Sequence, residues 1–250
     1  MKPINQTDQL IAELKLAGLA ASLKTRVDQA TDAGLGFNDF LGLVLFDEAA
    51  HRKSVRVARL LKNAGFRQQA SLEGFDHGAT RGINKTKLAD LASCRFVHDG
   101  INVLIDGPTG VGKTHLATAL GNAACRHGLT TLFVRMNTLI EQIALARAKG
   151  TYLNLLKRMS LVELLIVDDF GIKPLAPSHF QDFYDIIDER IESKSTILTT
   201  QLPIANWTDV IADPLACEAI TDRFVTKALQ IHLVGDSYRK KKFAPALDPR

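Results

Sequence analysis

Residues 107–114 read Gly-Pro-Thr-Gly-Val-Gly-Lys-Thr, a spacing that suits the binding of phosphate groups. Glycines adopt backbone angles that other residues resist, so successive N–H groups can converge on phosphate oxygens. Residues 101–106 read as a strand that enters this segment and residues 114–127 as a helix that leaves it, which argues against an incidental glycine-rich turn. The helix N-terminus would add its partial positive charge. The sequence therefore predicts a P-loop for a nucleoside triphosphate, formed by Gly107, Pro108, Thr109, Gly110, Val111, Gly112, Lys113 and Thr114.

Two acids follow an apolar run in Leu164-Leu-Ile-Val-Asp-Asp169, the Walker B pattern. A buried strand does not normally end in adjacent carboxylates unless something positive lies beyond it. Lys113 would reach the β- and γ-phosphates, and Thr114 and Asp168 would hold Mg²⁺. Asp169 would orient or deprotonate the attacking water. The alternative is a strand that ends in solvated aspartates, and the P-loop favours the site.

Two further polar residues suit phosphate chemistry. Gln201 follows a predicted strand, where its side chain could reach the γ-phosphate or the attacking water. Arg223 ends a predicted helix, and ring-forming triphosphatases often take such an arginine from a neighbouring subunit to stabilise transition-state charge. The alternative for Arg223 is a surface arginine paired with Asp222 or Glu218.

From residue 101 onward, short apolar runs alternate with amphipathic stretches, which predicts an α/β fold with a five-stranded parallel sheet flanked by helices. The predicted strands are 101–106, 131–135, 164–168, 196–200 and 229–234. The predicted helices are near 113–127, 138–158, 178–193 and 206–226, and two of them open on capping-box patterns, Thr138-x-x-Glu141 and Ser178-x-x-Gln181.

The preceding residues read differently. Residues 8–62 are helical in pattern, with one helix through Leu10 and Leu23 and a longer one from Phe37, closed by Gly65. Residues 65–82 contain four glycines and no period, and residues 84–97 read as a helix. The predicted organisation is a small all-α N-terminal domain at 1–66, a linker with a leading helix at 67–100, and a nucleotide-binding domain at 101–250.

The longer helix carries a basic face. From His51 to Arg67 there are six Lys or Arg and no acid. Arg52, Arg56 and Arg59 fall within a stripe of about 60°, flanked by Lys53 and Lys62. Such a face suits phosphate contacts on double-stranded DNA. The alternatives are a solvated face or ion pairs with a neighbouring subunit. Aromatic residues do not interleave with these cations, which favours the duplex backbone over stacking on single strands.

The composition sets broad limits. A formal net charge of +4 is too small to identify a nucleic-acid partner by itself. Three separated cysteines argue against a disulfide framework or a zinc site and favour a reducing cytosol. Neither a signal peptide nor a membrane span is evident, so we expect a soluble cytoplasmic protein with no membrane partner.

The combined motifs resemble the IstB family of transposition helper ATPases over nearly the whole chain. The segments that carry the resemblance are Asn102–Ala117, Leu165–Gly171, Asp188–Arg190, Thr199–Pro203, Asp222–Phe224, Gly235–Arg239, Leu72–Asp76, Leu91–Phe96 and the opening helix around Leu16–Leu19. The related DnaC helicase loaders match the N-terminal segment less well.

The resemblance implies an AAA+ ATPase that uses ATP and Mg²⁺, forms a homo-oligomer, binds DNA with little sequence preference and assists an IstA-type transposase. It also implies Asp169 in hydrolysis, Gln201 as first sensor, Arg223 as arginine finger, and Arg239 as second sensor or DNA contact. The chain departs from common AAA+ patterns in three ways: Asp169 replaces glutamate, Gln201 replaces asparagine, and residues 235–250 are too few for a full helical lid.

Three alternatives stay open at the level of sequence. A DnaC-like helicase loader would share the same ATPase domain. A small-molecule kinase would need an arginine-bearing lid and an acceptor pocket, and neither is identifiable. A DNA-binding protein with a vestigial nucleotide site is the third, because Asp169 is shorter than the usual glutamate.

Overall fold

The chain divides into two compact units, Met1–Arg59 and Leu60–Arg250. The computed structural model describes residues 6–75, 81–211 and 213–238. Within those ranges, no helix combines the length and the apolar character needed to cross a bilayer. The division into domains at 1–66, 67–100 and 101–250 stays a prediction.

The first unit is helical, as predicted. It contains α1 (Gln6–Glu13), α2 (Ala17–Ala33) and most of α3 (Phe37–Ala64). The single helix predicted through Leu10 and Leu23 is wrong, because the chain breaks at Lys15, whose φ of 55° is left-handed. Gly18 lies inside α2, where an added Cβ would come 2.4 Å from His51 Cβ. Glycine thus allows close packing of α2 on α3.

The second unit is built on a five-stranded parallel sheet, which confirms the predicted fold class. The strands are β1 (Val103–Asp106), β2 (Thr131–Arg135), β3 (Leu164–Phe170), β4 (Ser195–Thr200) and β5 (Leu229–His232). Their order across the sheet is β2-β3-β4-β1-β5, with every neighbouring pair parallel. The carboxyl ends of β1, β3 and β4 therefore meet at one edge of the sheet.

Helices precede the first strand of this unit and connect the later ones. They are α4 (Lys85–Ala92), α5 (Arg95–His98), α6 (Lys113–Arg126), α7 (Met136–Ala148), α8 (Tyr152–Leu161), α9 (Pro177–Asp188) and α10 (Pro214–Ile220), with a 3₁₀ helix at Ile204–Asp209 and a π turn at Thr221–Val225. The continuous helices predicted at 138–158 and 206–226 are wrong. Gly150, with φ of 68°, separates α7 from α8, and Pro214 opens α10 as a new helix.

Both predicted capping boxes are wrong for a common reason. The preceding segment enters each helix directly, so the helix begins before the Ser or Thr. Arg135, the last residue of β2, is the N-cap of α7, and Thr138 lies inside the helix. Ala176 precedes α9, and Pro177 occupies its first position, where a missing N–H costs nothing.

Apolar side chains of β1 to β4 alternate between two cores, one on each face of the sheet. On β3, Leu165 and Val167 face the core that includes α7 and α9. Leu164 and Ile166 face the opposite core, which includes α4 and α6. This alternation has the period of two that a strand imposes, and it places helices on both faces.

Arg190 is a buried cation that joins several segments after α9. Its side chain is 1% exposed, and burial lowers its pKa to about 9, so it stays charged at neutral pH. The guanidinium donates to the carbonyls of Met159, Val162 and Ser195 at 2.5, 2.9 and 2.6 Å. It also donates to the Thr196 hydroxyl at 2.9 Å. One side chain therefore ties the end of α8 and the start of β4 to the segment after α9.

Candidate nucleotide-binding site

The loop between β1 and α6 has the backbone of a phosphate-binding turn. Gly107, Gly110 and Gly112 have φ of 141°, 86° and 106°, a region that side-chain-bearing residues avoid. A Cβ on Gly107 would lie 2.1 Å from the carbonyl oxygen of Leu233. Gly112 is the N-cap of α6, so the N–H groups of the first helical turn border the loop. The geometry explains why this segment is rich in glycine.

Lys113 opens α6 and turns back over the loop. Its ammonium donates to the carbonyls of Gly107 and Pro108 at 2.8 and 2.9 Å. A cation is thus held beside the converging N–H groups. Such a combination suits a polyphosphate, which needs both charge and directed donors.

Asp168 ends the regular part of β3 and reaches the first turn of α6. The Thr114 hydroxyl lies 2.9 and 3.1 Å from its two carboxylate oxygens. Burial raises the pKa of Asp168 above its usual range, and the charge of Asp169 adds to the effect. Hydrogen bonds from Thr199 and Thr114 and the charge of Arg135 oppose it. The contact brings the predicted magnesium ligands Thr114 and Asp168 together.

Asp169 takes an unusual backbone conformation. Its φ is 64°, and the pairing of β3 with β4 shifts register between Val167 and Phe170. A bulge of this kind redirects the side chain that follows it. Left-handed backbone is uncommon outside glycine, although aspartate tolerates it better than most residues. The side chain of Asp169 therefore leaves the strand in a direction that a residue of a regular strand would not take.

Thr199 organises both acids, and its role was not predicted from the sequence. It is fully buried on β4. Its hydroxyl donates to Asp168 Oδ1 at 2.6 Å and accepts the Asp169 N–H at 3.0 Å. The sequence shows a threonine near the end of a predicted strand. Its contact with the acids could be predicted only if β3 and β4 were known to be neighbours.

Gln201 contacts the P-loop directly. Its Oε1 accepts a hydrogen bond from the Thr109 hydroxyl at 2.5 Å. The residue after β4 is thus brought to the loop, as the parallel arrangement of β1 and β4 requires. This hydrogen bond fixes the side-chain amide of Gln201 against the loop. Thr109 and Gln201 therefore form a pair at the rim of the site.

Arg135 is a second residue near the acids that sequence reasoning missed. It lies opposite Asp168 in the register of β2 and β3. Its Nε is 3.8 Å from Asp168 Oδ2 and 3.7 Å from Asp169 Oδ2. The sequence shows only an arginine that ends a predicted strand. Its proximity to the acids cannot be predicted until β2 and β3 are known to be neighbours.

Arg223 lies in the π turn and contacts α9. It forms an ion pair with Asp188, and its guanidinium lies 5.3 Å from the ring centre of Tyr184. The alternative interpretation of Arg223 as a surface arginine predicted Asp222 or Glu218 as its partner. The observed ion-pair partner is Asp188. Arg239 lies outside the described residues.

The segment before Arg239 folds over the P-loop. The Tyr238 N–H donates to the Gly110 carbonyl at 3.0 Å, and a Cβ on Gly110 would lie 2.1 Å from Ser237 Oγ. Arg81 stacks on the Tyr238 ring with its guanidinium carbon 4.0 Å from the ring centre. Phe75 stacks on His115, the residue after Thr114. Aromatic and cationic side chains therefore border the loop.

The family model for an IstB-like ATP binding protein matches residues 9–246. The chain belongs to this IstB-like family. The resemblance inferred from the motifs is thereby confirmed, and the family to which this IstB-like chain belongs is one of ATP-binding proteins.

Curated relatives cover almost the whole chain. The insertion sequence ATP-binding protein y4pL of Sinorhizobium fredii is 35% identical over 227 residues, 91% of this chain and 93% of its own length. The ATP-binding protein Rv3427c of an insertion sequence in Mycobacterium tuberculosis is 34% identical over 230 residues, 92% of each chain. The IS21 ATP-binding protein of Pseudomonas aeruginosa is 30% identical over 239 residues, 96% of this chain and 90% of its own.

Solved structures share the fold of this IstB-like chain. The DnaC helicase loader has a TM-score of 0.55 and 22% identity, covering 66% of this chain and 96% of its own. DnaA bound to AMPPCP and single-stranded DNA has a TM-score of 0.56 and 22% identity, covering 71% and 56%. At such identities the likeness concerns the fold alone, which is that of the AAA+ P-loop proteins.

Proposed function

We propose that the protein is an ATPase that assembles on double-stranded DNA with little sequence preference and assists an IstA-type transposase. The observation that carries the ATPase part is the contact of Thr114 with Asp168 beside the lysine-bearing loop. The transposase part is supported by relatives that are named for insertion sequences. The cytoplasm, where DNA and ATP meet in a bacterium, is the compartment that this proposal requires.

The donor set at Thr114 and Asp168 fits Mg²⁺. This ion prefers oxygen ligands. The hydroxyl of Thr114 and the carboxylate of Asp168, which is fully buried, supply such oxygens. In the parts of the chain that the structure describes, no group of three or more His, Cys, Asp or Glu could hold a metal. Phosphate and water oxygens would therefore complete its shell. The bound ion would neutralise phosphate charge.

Asp169 and Gln201 are proposed to serve hydrolysis. The left-handed backbone of Asp169 turns its carboxylate out of the strand, where it can accept a proton from a water or orient it. Gln201 is proposed to sense the γ-phosphate, and its hydrogen bond from Thr109 of the P-loop supports this role. An aspartate reaches less far than the glutamate common at this position, so we expect slow turnover.

Arg223 is proposed to act on the nucleotide of a neighbouring subunit. Within its own chain it is engaged by Asp188 and Tyr184 on α9. An arginine supplied across an interface stabilises transition-state charge only after assembly. Large apolar side chains exposed on the first unit, such as Phe37 and Phe46, also suit burial against another copy. These features support a homo-oligomer.

DNA contact is proposed along the basic face of α3. Lys53, Arg56 and Arg59 are exposed on it. Arg52 is also exposed, but its Nε lies 2.6 Å from Glu48 Oε1, a pairing that lowers the pKa of Glu48. Part of its charge is therefore used within the chain, and we expect Arg52 to contribute less to DNA binding.

Lys62 lies in the second unit and lines an open cavity of about 800 Å³. Arg67, Arg126 and the half-buried His115 line the same cavity. A cationic wall of this kind also suits phosphate groups.

The DNA proposal predicts a change in salt dependence. Replacing Lys53, Arg56 and Arg59 with alanine should weaken binding to a random duplex roughly 100-fold near 100 mM salt. The slope of log K against log salt should fall by about 2 to 3, one counterion per lost contact. Fluorescence anisotropy across a salt series measures both quantities.

A matched control replaces Lys85, Arg95 and Arg158, which are exposed cations of the second unit. This triple variant should keep the wild-type slope. If both triple variants bind alike, α3 is not the DNA contact, whereas a wild-type protein that binds no duplex would refute the DNA proposal itself.

The second candidate is a DnaC-like helicase loader, favoured by the structural likeness to the DnaC loader. Pull-down with a replicative helicase and with an IstA-type transposase separates the two. We expect retention by the transposase. Retention by the helicase alone would favour the loader.

A further inference from the structure

Thr109 and Gln201 meet at the open rim of the candidate site. Both residues are exposed, and 92 positions separate them along the chain. The Thr109 hydroxyl donates to Gln201 Oε1 at 2.5 Å. Thr109 lies in the P-loop, and Gln201 follows β4, which pairs with β1 in the sheet. One hydrogen bond therefore joins the loop after β1 to the segment after β4.

The backbone that carries Gln201 is held on both sides. Thr200 is fully buried, and its hydroxyl donates to the carbonyl of Phe170 at 3.0 Å. The same hydroxyl accepts the N–H of Leu202 at 3.0 Å. The chain around Gln201 is thus tied to the end of β3, where the two acids lie. The side-chain torsions of Gln201 remain to be fixed, and Thr109 fixes them at their far end.

The direction of this hydrogen bond decides what the amide offers to a ligand. Thr109 donates, so Oε1 faces the loop, and Nε2 carries two N–H groups that can bond to another acceptor. An ionised γ-phosphate presents only acceptor oxygens, so it attracts Nε2 and repels Oε1. Without the hydroxyl, a half-turn about the last torsion would exchange the two ends of the amide. Thr109 therefore selects the end that can bind phosphate.

The length of glutamine matters for the same contact. AAA+ proteins commonly have asparagine at the position of Gln201, and asparagine is shorter by one methylene. With a carbon–carbon bond of about 1.5 Å, the separation from the Thr109 hydroxyl would grow from 2.5 Å to about 4 Å. That distance exceeds the reach of a hydrogen bond. The longer side chain and the threonine of the loop thus belong together.

We propose that Thr109 is a positioning residue, which turns the N–H groups of Gln201 toward the γ-phosphate of ATP. This inference rests on the proposed role of Gln201 in sensing that phosphate. It gives the Thr109 side chain a task separate from the backbone N–H contacts of the P-loop. It also makes glutamine preferable to asparagine in this chain. Binding of ADP, which has no γ-phosphate, should depend on neither side chain.

The first test measures affinity and needs no turnover. AMPPCP, an ATP analogue that resists hydrolysis, and ADP are each titrated by calorimetry in the presence of Mg²⁺. Thr109→Val keeps the shape of the side chain and removes the hydroxyl. It should bind AMPPCP roughly fivefold more weakly, the factor of one hydrogen bond, and ADP within about twofold of the wild type. Thr109→Ser restores the donor and should recover the wild-type affinity for AMPPCP within about twofold.

The second test asks whether the two residues act together. Gln201→Asn should also weaken AMPPCP by about fivefold, although asparagine is the commoner residue in AAA+ proteins. The double variant should bind within about twofold of either single variant, because both changes remove the same contact, whereas independent effects would multiply to roughly 25-fold. The values of kcat/KM for ATP should follow the same order. Thr208→Val, at an exposed threonine of the Ile204–Asp209 helix, should bind both nucleotides as the wild type does.

The outcomes separate this inference from the proposed function. Unchanged affinity of Thr109→Val for AMPPCP, or tighter binding by Gln201→Asn, would overturn the role of Thr109 while hydrolysis by the wild type upholds the ATPase. Equal weakening of AMPPCP and ADP would overturn it too, since the loop itself would then be disturbed, and so would losses that multiply in the double variant. A wild type that binds AMPPCP but hydrolyses no ATP would refute the proposed ATPase, and the AMPPCP affinities would still decide the role of Thr109.

Discussion

Replacing Lys113 with alanine should lower the affinity for ATP by roughly 10- to 100-fold. Its ammonium lies over the loop, bonded to the carbonyls of Gly107 and Pro108, and can transfer these bonds to phosphate oxygens. A charge-assisted hydrogen bond contributes about 1.5–3 kcal/mol, which sets this range. Calorimetric titration with Mg-ATP measures the affinity, and hydrolysis should fall at least as far.

The control for Lys113 is Lys85→Ala, which removes an exposed lysine at the start of α4. It should bind ATP as the wild type does, and both variants should keep the wild-type melting temperature. Affinity of Lys113→Ala within threefold of the wild type would show that the loop does not bind phosphate through the Lys113 ammonium.

Replacing Arg190 with methionine should destabilise the second unit by about 3–5 kcal/mol. The carbonyls of Met159, Val162 and Ser195 would lose their donor inside the protein. Each buried acceptor without a partner costs about 1–3 kcal/mol, and methionine fills the volume without satisfying any of them. For a unit of this size the melting temperature should fall by roughly 10 °C, measured by circular dichroism.

Arg158→Met provides the same chemical change at an exposed site of α8, near the carbonyls that Arg190 holds. It should melt within about 2 °C of the wild type. An equally small shift for Arg190→Met would mean that the buried guanidinium is dispensable for the fold.

The local parts of the site could be predicted from the sequence because they depend on neighbours in the chain. The P-loop is eight consecutive residues between a strand and a helix. Asp168 and Asp169 end one apolar run. For the same reason the five strands were predicted close to their observed bounds, since a buried strand in a parallel sheet is a continuous apolar run.

Contacts across the sheet could not be predicted in this way. Thr199 and Arg135 meet the acids only because β4 and β2 flank β3, and the sequence does not show strand order. The left-handed φ of Asp169 arises from a bulge, which needs the register of the partner strand. The two helices predicted as continuous are interrupted at Gly150 and Pro214. Both residues disfavour a helix, but the prediction gave more weight to the apolar pattern around them.

The proposed function requires that ATP and DNA together drive assembly of this chain into a shared ATPase. Sedimentation velocity of the protein alone, with ATP, with a duplex, and with both measures it directly. We expect a species of several copies with both ligands, a smaller one with either alone, and loss of turnover but not of ATP binding in Arg223→Ala. A protein that stays monomeric under every combination would contradict the claim and remove the proposed role of Arg223.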